Sequence, residues 1–336
     1  MPRVRELEVL RVVLPYGGRT ESLLVKLTDY GGMTGWGEAV SPAPKSWSRL
    51  EETLGALLIG VDWEHPDSVP SGDPAVDMAC WDLWARMRGV PLADALGGTR
   101  TSLMATVRLT PDTSIESLVT RVNQQVCAGY GHVTLDVRPG WDVEPVRAVR
   151  SAYPALTLAV DCGNAYTDSS QLVALDAYGL EVIERPFHAG DVYAHADLQD
   201  QVSASVAVEV SRTAELDDYL TLRAARVLLL RPAAFPSLSE ARRAHDRAVA
   251  AGWDIQCAGG QGAGLARAAT VAVASLPGCT LPCDVTQPPR NNQIVTPIVG
   301  ANAGVIAVPF TQPGLGHTVD ETRLRRLAKD YFTFTA

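Results

Sequence analysis

Residues 156–161 read LTLAVD, residues 180–184 read LEVIE and residues 205–209 read SVAVE. Each run is an apolar segment of strand length that ends in a carboxylate, and these carboxylates, Asp161, Glu184 and Glu209, are 23 and 25 residues apart. Strands that alternate with helices at such intervals are typical of βα units. The three runs therefore predict neighbouring strands of a parallel sheet with acidic side chains at one end of it.

The same pattern extends on both sides of these runs. From about Ser102 onward, apolar strand candidates alternate with helical segments, and a polar residue closes nearly every strand. In chain order, the strand-closing residues are Asp136, Asp161, Glu184, Glu209, Arg231, Cys257 and Asp284, and the last strand candidate is Cys279–Leu281. Eight such units are the number found in a TIM-type barrel, where the strand carboxyl ends carry the active site, although a doubly wound sheet has the same local signature.

The first hundred residues have a different organisation. Three strand-like runs, Glu6–Leu14, Glu21–Thr28 and Met33–Glu38, are joined by glycine-bearing turns and predict an antiparallel meander. Two helical stretches follow, Ser46–Ile59 and one that begins at Asp73-Pro74 with a capping aspartate before a proline. This part of the chain is predicted to be a small α+β unit.

The composition excludes several classes of function. The formal net charge is −9 and no basic block is present, which argues against nucleic-acid binding. No apolar run has the roughly 18 to 20 residues needed to cross a bilayer, and no secretory signal is visible, so we expect a cytoplasmic protein whose six cysteines are reduced. The chain has three lysines, at positions 26, 45 and 329, so a lysine base is excluded between residues 46 and 328.

Three carboxylates at adjacent strand ends repel one another unless they share protons or bind a cation. Oxygen ligands of this kind suit Mg²⁺, so Asp161, Glu184 and Glu209 are candidate metal ligands. The alternative is that some of them are solvated residues at the starts of loops and helices.

Several motifs, taken together and in order, resemble the enolase superfamily, and within it the muconate-lactonizing subgroup of o-succinylbenzoate synthases and N-acylamino acid racemases. The motifs are Gly35-Trp36-Gly37-Glu38, the helix from Ala75 to Leu83, Pro139-Gly140-Trp141-Asp142, Glu184-Arg185-Pro186 and Pro313-Gly314-Leu315-Gly316. The resemblance implies a modified (β/α)₇β TIM barrel with an N-terminal α+β capping domain. The corresponding divisions are a capping domain at 1–100, a barrel at 101–310 and a segment at 311–336 that returns to the capping domain.

The resemblance also implies a function. It makes Asp161, Glu184 and Glu209 the ligands of Mg²⁺ or Mn²⁺, and it implies a small carboxylate substrate and a homo-oligomer. The third ligand is usually aspartate in this subgroup, so Glu209 is a variation with a longer side chain.

The sequence departs from the family where the family does its acid–base chemistry. A Lys-x-Lys usually ends the second strand, and the matching segment is Thr134-Leu135-Asp136; Arg231 stands where another lysine ends the sixth strand. The hairpin that usually covers the active site matches the short segment between Leu14 and Glu21, where a Tyr-Gly-Gly turn is predicted. A glutamate usually found near the seventh strand end falls on the glycine-rich stretch 259–262.

These departures lead to three hypotheses. The first is a divergent metal-dependent lyase or isomerase, with Asp136 as the acid–base group and Arg231 as a clamp on the substrate. Arg231 is assigned the clamp because arginine cannot act as a base near neutral pH. A place in specialised metabolism is a conjecture from the same departures. Thr134, Cys257 and Asp284 are candidate substrate-binding residues. The second hypothesis is a catalytically silent binding or scaffolding subunit, and the third is an o-succinylbenzoate synthase or N-acylamino acid racemase activity like that of the family.

Overall fold

The computed structural model describes residues 1–14, 20–259, 262–285 and 292–336. The strands are β1 Val4–Val13, β2 Glu21–Asp29, β3 Thr34–Val40, β4 Ser102–Met104, β5 Val107–Leu109, β6 His132–Asp136, β7 Thr157–Asp161, β8 Val182–Glu184, β9 Ser205–Glu209, β10 Val227–Leu230, β11 Asp254–Cys257, β12 Val295–Thr296, β13 Val305–Ala307, β14 Thr318–Val319 and β15 Ala328–Thr335. The α-helices are α1 Ser46–Leu58, α2 Pro74–Arg88, α3 Leu92–Ala95, α4 Ile115–Cys127, α5 Val143–Ala152, α6 Ser170–Asp176, α7 Val192–Gln201, α8 Leu216–Thr221, α9 Leu238–Ala250, α10 Leu265–Ala274 and α11 Glu321–Leu327.

The N-terminal residues form an antiparallel sheet that is covered by helices, and the predicted meander is confirmed. The strand order is β15-β1-β2-β3, so the C-terminal strand pairs with the first one. Helix α2 lies very close to β3 because Gly37 has no side chain. A Cβ at this position would be 1.9 Å from the carbonyl oxygen of Ala75.

The central part of the chain is a barrel of parallel strands. Strands β5 to β11 are paired in chain order, and the segment at residues 283 and 284 forms bridges to both edges, with Ala105 at one and Ala258 at the other. This arrangement confirms the predicted modified TIM barrel with an N-terminal α+β unit. The prediction of a last strand at Cys279–Leu281 is wrong, because the bridges that close the ring lie a few residues later.

Side chains alternate between the inside and the outside of the barrel, as they must along a strand. Ala159, Val182, Ala207 and Val227 form a small apolar cluster of their own, which fills the interior. The alternate residues pack outward in the large core beneath the helices. Asp161, Glu184 and Glu209 each lie two residues after an interior residue and therefore face the inside of the barrel mouth.

The N-terminal unit is joined to the barrel by a buried carboxylate. Glu38 is fully buried and accepts hydrogen bonds from the backbone N–H groups of Ala263, Gly264 and Ala266, at 2.6, 3.2 and 3.1 Å. These donors lie at the N-terminus of α10, where a negative charge is favoured. Glu38 thereby fixes β3 against the barrel.

Two sequence predictions lie outside the described residues. They are the turn at 16–18, in place of the usual covering hairpin, and the middle of the glycine-rich stretch, at residues 260 and 261. Among the residues that the structure describes, no helix is both long enough and apolar enough to span a membrane.

Candidate active site

The carboxyl ends of three adjacent strands bring three carboxylates into one row. Asp136 is the register partner of Asp161, and Asp161 is the register partner of Glu184. Asp161 and Glu184 are buried, with 1% and 2% of their surface exposed. Such a row is unstable when ionised unless cations or protons compensate the charges.

Arg108, in the middle of β5, compensates the first two carboxylates. Its Nε donates to Asp136 Oδ1 at 2.6 Å, and its Nη2 forms an ion pair with Asp161 Oδ2. Burial acts to lower the pKa of Arg108, but the charges of Asp161 and Asp136 outweigh burial, and the pKa is raised above its ordinary value. Arg108 is therefore a cation near neutral pH.

Arg185, directly after β8, compensates Asp161 from the other side. Its Nη2 donates to Asp161 Oδ2 at 2.6 Å, and its Nη1 lies 3.6 Å from Glu209 Oε2. The backbone φ of Arg185 is 48°, in the left-handed region. A non-glycine residue adopts this region at a cost of order 1 kcal/mol or more, and such strain is concentrated at functional sites.

Glu209 lies between Arg185 and Arg231. The Nε of Arg231 is 3.0 Å from Glu209 Oε2, and the side chains of Glu209 and Arg231 are 27% and 21% exposed. Glu209 Oε2 and Arg185 Nε are nevertheless buried atoms without an aligned hydrogen bond to the residues that the structure describes. Glu209 Oε2 is therefore held by the charges of Arg231 and Arg185.

Glu184 lacks a guanidinium partner among the described residues. Gln256 Nε2 donates to its Oε1 at 3.0 Å. Burial, and then the charge of Asp161, raise the pKa of Glu184 to about 8. Glu184 therefore holds a proton more tightly than an ordinary glutamate, whereas Asp136, Asp161 and Glu209 contact guanidinium groups.

The structure corrects the prediction for Cys257. Its Sγ lies 3.5 Å from Cys279 Sγ in the buried layer between the barrel and the helices, away from the mouth. The hydrogen bond with Cys279, and then burial, raise the pKa of the Cys257 thiol well above its ordinary value. Because side chains alternate along β11, the preceding residue, Gln256, faces the interior instead.

Thr134 and Asp284 both belong to the inner lining, and their substrate-binding roles stay predictions. Thr134 is buried two residues before Asp136 on the same strand face, with its Oγ1 3.2 Å from Thr106 Oγ1. The charge of Asp284 reaches the mouth, where it raises the pKa of both Glu184 and Arg108.

The residues present do not fit the predicted Mg²⁺ or Mn²⁺ site. Both oxygens of Asp161 have donors already, Oδ1 from the N–H of Gly163 at 2.8 Å and Oδ2 from two guanidinium groups. Within the described ranges, no group of three or more histidine, cysteine, aspartate or glutamate side chains is arranged to hold a metal ion. Apart from the N–H of Gly163, the groups that contact Asp161 and Glu209 are guanidinium cations, which a metal ion would have to displace.

Three residues of the site were not predicted from the sequence: Arg108, Arg185 and Gln256. An arginine between Val107 and Leu109 in an apolar strand is the signal that points to Arg108. Arg185 and Gln256 do not close a strand in the sequence pattern, so a rule based on the closing residue misses both.

A cavity of about 570 Å³ opens beside this cluster. Its lining includes Arg185 and Glu209 from the cluster, the side chains of Phe187, Val208 and Tyr219, and the carboxylates of Glu215 and Asp218, but neither Asp136 nor Arg231. A volume of this size is ordinary for a small-molecule site.

Known proteins resemble this chain along its length. Residues 117–323 match the family described as Enolase C-terminal domain-like. The chain is 33% identical over 332 residues to an o-succinylbenzoate synthase of Geobacillus kaustophilus, covering 91% of this chain and 88% of the relative. It is 34% identical over 339 residues to an N-succinylamino acid racemase of Amycolatopsis sp, covering 93% and 87%.

A solved structure shows the same architecture. The crystal structure of an enolase superfamily member from Listeria innocua Clip11262 covers 100% of both chains with a TM-score of 0.91 and 26% identity. The similarity therefore extends from the N-terminal unit through the barrel. Since the family match covers most of the barrel and relatives above 30% identity align over about nine-tenths of their length, this chain belongs to the enolase superfamily of enzymes.

Proposed function

We propose that this enzyme is a lyase or isomerase that moves a proton next to the carboxylate of a small carboxylic acid, with Asp136 as the acid–base group and Arg231 as the carboxylate clamp. The proposal is supported above all by the placement of these two residues. Asp136 ends the second strand of the closed barrel and Arg231 follows the sixth, so they approach the mouth from opposite sides.

Arg231 has the free donors that a clamp needs. Its Nε contacts Glu209, while Nη1 and Nη2 make no hydrogen bond to any residue in the described part of the chain. A planar guanidinium with two free amino groups binds a carboxylate in a bidentate manner and stabilises the negative charge that develops when the neighbouring proton leaves. Arg231 therefore orients the substrate and lowers the energy of its oxyanion.

Asp136 has the free acceptor that a base needs. Its Oδ1 is held by Arg108, and its Oδ2 has no hydrogen-bond donor within the described ranges. Burial is the largest influence on its pKa and raises it, which makes the carboxylate a stronger base than an exposed aspartate. Asp136 takes the proton from the carbon next to the substrate carboxylate, and the electron pair then expels a leaving group or returns to the carbon.

A single base on one side of the substrate predicts the stereochemical outcome. Racemisation by two bases needs a second proton acceptor on the opposite face, and arginine cannot provide one. We therefore expect proton exchange with retention, or elimination, rather than inversion at the same carbon.

The test uses N-succinylamino acids, because relatives named N-succinylamino acid racemase resemble this chain. Each enantiomer is incubated with the enzyme in D₂O, and exchange of the α proton, inversion and elimination are followed by NMR. We expect exchange or elimination with one enantiomer. Replacement of the base, Asp136→Asn, should slow the reaction by about 100-fold or more.

The matched control is Asp200→Asn, at an exposed position on α7, which should leave the rate unchanged. Inversion of both enantiomers at comparable rates would refute the one-base mechanism and support the family's own racemase activity. Absence of any reaction across the panel, together with binding of the same compounds, would instead support the silent binding subunit.

A further inference from the structure

We propose that the guanidinium groups of Arg108 and Arg185 replace the divalent metal ion of the family, so that the enzyme works with resident protein cations and binds no Mg²⁺ or Mn²⁺ at the barrel mouth. The inference concerns the same mouth as the proposed reaction, but it rests on the charges of the protein alone.

The two arginines make the contacts that a shared cation would make. Arg185 connects Asp161 with Glu209, and Arg108 connects Asp161 with Asp136. Asp161 Oδ2 is the common acceptor of both side chains. Carboxylates from three different strands are thus linked through protein donors.

Three protein donors also compete with a metal ion for the oxygens of Asp161. Its Oδ1 accepts the N–H of Gly163 at 2.8 Å, so each of its oxygens has at least one protein donor. A hard cation would have to displace the two guanidinium groups from Oδ2 or share Oδ1 with the N–H of Gly163. A dication would in addition be repelled by the two guanidinium groups.

The backbone fixes Arg185 in this position. Its N–H donates to the carbonyl oxygen of Ala207 at 2.9 Å, and its carbonyl oxygen accepts from Asn164 N at 2.8 Å. These bonds on both sides hold the residue at its φ of 48°. The backbone therefore fixes where the side chain of Arg185 starts, and its contacts with Asp161 and Glu209 place the guanidinium between these carboxylates.

Three carboxylates of the mouth are compensated by protein cations. Asp136, Asp161 and Glu209 are each within ion-pair distance of a guanidinium group, and Arg231 adds a further cation beside Glu209. Glu184 receives a hydrogen bond from Gln256, and Asp284 is a further carboxylate whose charge acts on the mouth.

The first measurement uses the unmodified protein. Metal content after purification is measured by mass spectrometry, Mn²⁺ binding by electron paramagnetic resonance, and Tm with added Mg²⁺, added Mn²⁺ or EDTA. We expect far less than one metal ion per chain and the same Tm in all three conditions. Stoichiometric Mn²⁺ binding that is lost in Asp161→Asn but kept in Asp200→Asn would overturn the proposal.

The second measurement asks whether a metal enters when the arginines are removed. In the double variant Arg108→Gln/Arg185→Gln the carboxylates lose their cations, and we expect saturable Mn²⁺ binding together with a rise in Tm on addition of Mn²⁺. The matched control is Arg247→Gln, an exposed arginine on α9, which should gain no binding.

A folded double variant that binds no Mn²⁺ would show that the arginines are not metal substitutes. If the double variant does not fold, the measurement on the unmodified protein decides by itself. None of these readouts uses turnover, so a failure of the proposed reaction and a failure of the metal replacement are distinguished.

Discussion

Replacement of Arg185 by glutamine tests whether the guanidinium groups stabilise the barrel mouth. Arg185→Gln removes the 2.6 Å hydrogen bond to Asp161 and the 3.6 Å contact with Glu209. A hydrogen bond to a charged group contributes about 1.5 to 3 kcal/mol, and a partly exposed ion pair adds at most about 1 kcal/mol. Asp161 keeps Arg108 and Gly163 as donors, so the loss stays below that of a fully isolated buried charge.

We therefore expect Arg185→Gln to lower the free energy of unfolding by about 2 to 3 kcal/mol. The assay is equilibrium urea unfolding followed by tryptophan fluorescence in a metal-free buffer. The surface variant Arg247→Gln, which breaks a pair whose partners are 50% and 46% exposed, should change stability by less than about 1 kcal/mol.

A double-mutant cycle with Asp161→Asn isolates the pair itself. We expect a coupling free energy of at least about 1 kcal/mol between positions 185 and 161. A coupling near zero, or an Arg185→Gln variant as stable as the parent, would refute the assignment of Arg185 as a structural cation of the mouth.

Three further predictions address the fold and the corrected site residue. Burial raises the pKa of Asp77 to about 7 from an ordinary value of 3.8, so the folded state binds the proton more tightly than the unfolded state does. The free energy of unfolding should therefore fall as the pH rises from about 4 to about 7. Urea unfolding across that range should show a flatter dependence in Asp77→Asn. Gly37→Ala should destabilise the protein by about 3 kcal/mol or more, because its Cβ would clash with Ala75 O, whereas Gly131→Ala, with open space, should change the urea midpoint little. Cys257→Ala should leave the rate of proton exchange unchanged, because the thiol lies in the outer core; a large loss of rate in a folded variant would return Cys257 to the active site.

The barrel and its capping unit were predictable because they depend on local patterns. Apolar runs that end in a polar residue at intervals of 22 to 27 residues define the βα units. A capping aspartate, a proline at the first helical position and a terminal glycine define α2, which the structure has at Pro74–Arg88 with Asp73 and Gly89 as its caps. An error of one or two residues in the boundary of an element does not change these predictions.

The same error does change which side chains are predicted to face the site. The pattern of strand-closing residues predicts Cys257 in the mouth and does not single out Gln256. A shift of one residue along β11 exchanges which of the two side chains faces the barrel interior. Arg108 is a similar case, since it lies within its strand rather than at its end, and its long side chain carries the charge to the mouth.

The sequence by itself determined the fold class, the row of carboxylates at the strand ends and the absence of lysine from the barrel. Only the tertiary structure decided which charges meet. Asp161 and Arg185 are 24 residues apart in the chain, and Asp161 and Arg108 are on strands that are not adjacent, yet the guanidinium groups reach the same oxygen. Strand periodicity depends on neighbouring residues, whereas ion pairing depends on sheet closure and side-chain reach. For that reason the strand-end carboxylates were predictable and their arginine partners were not.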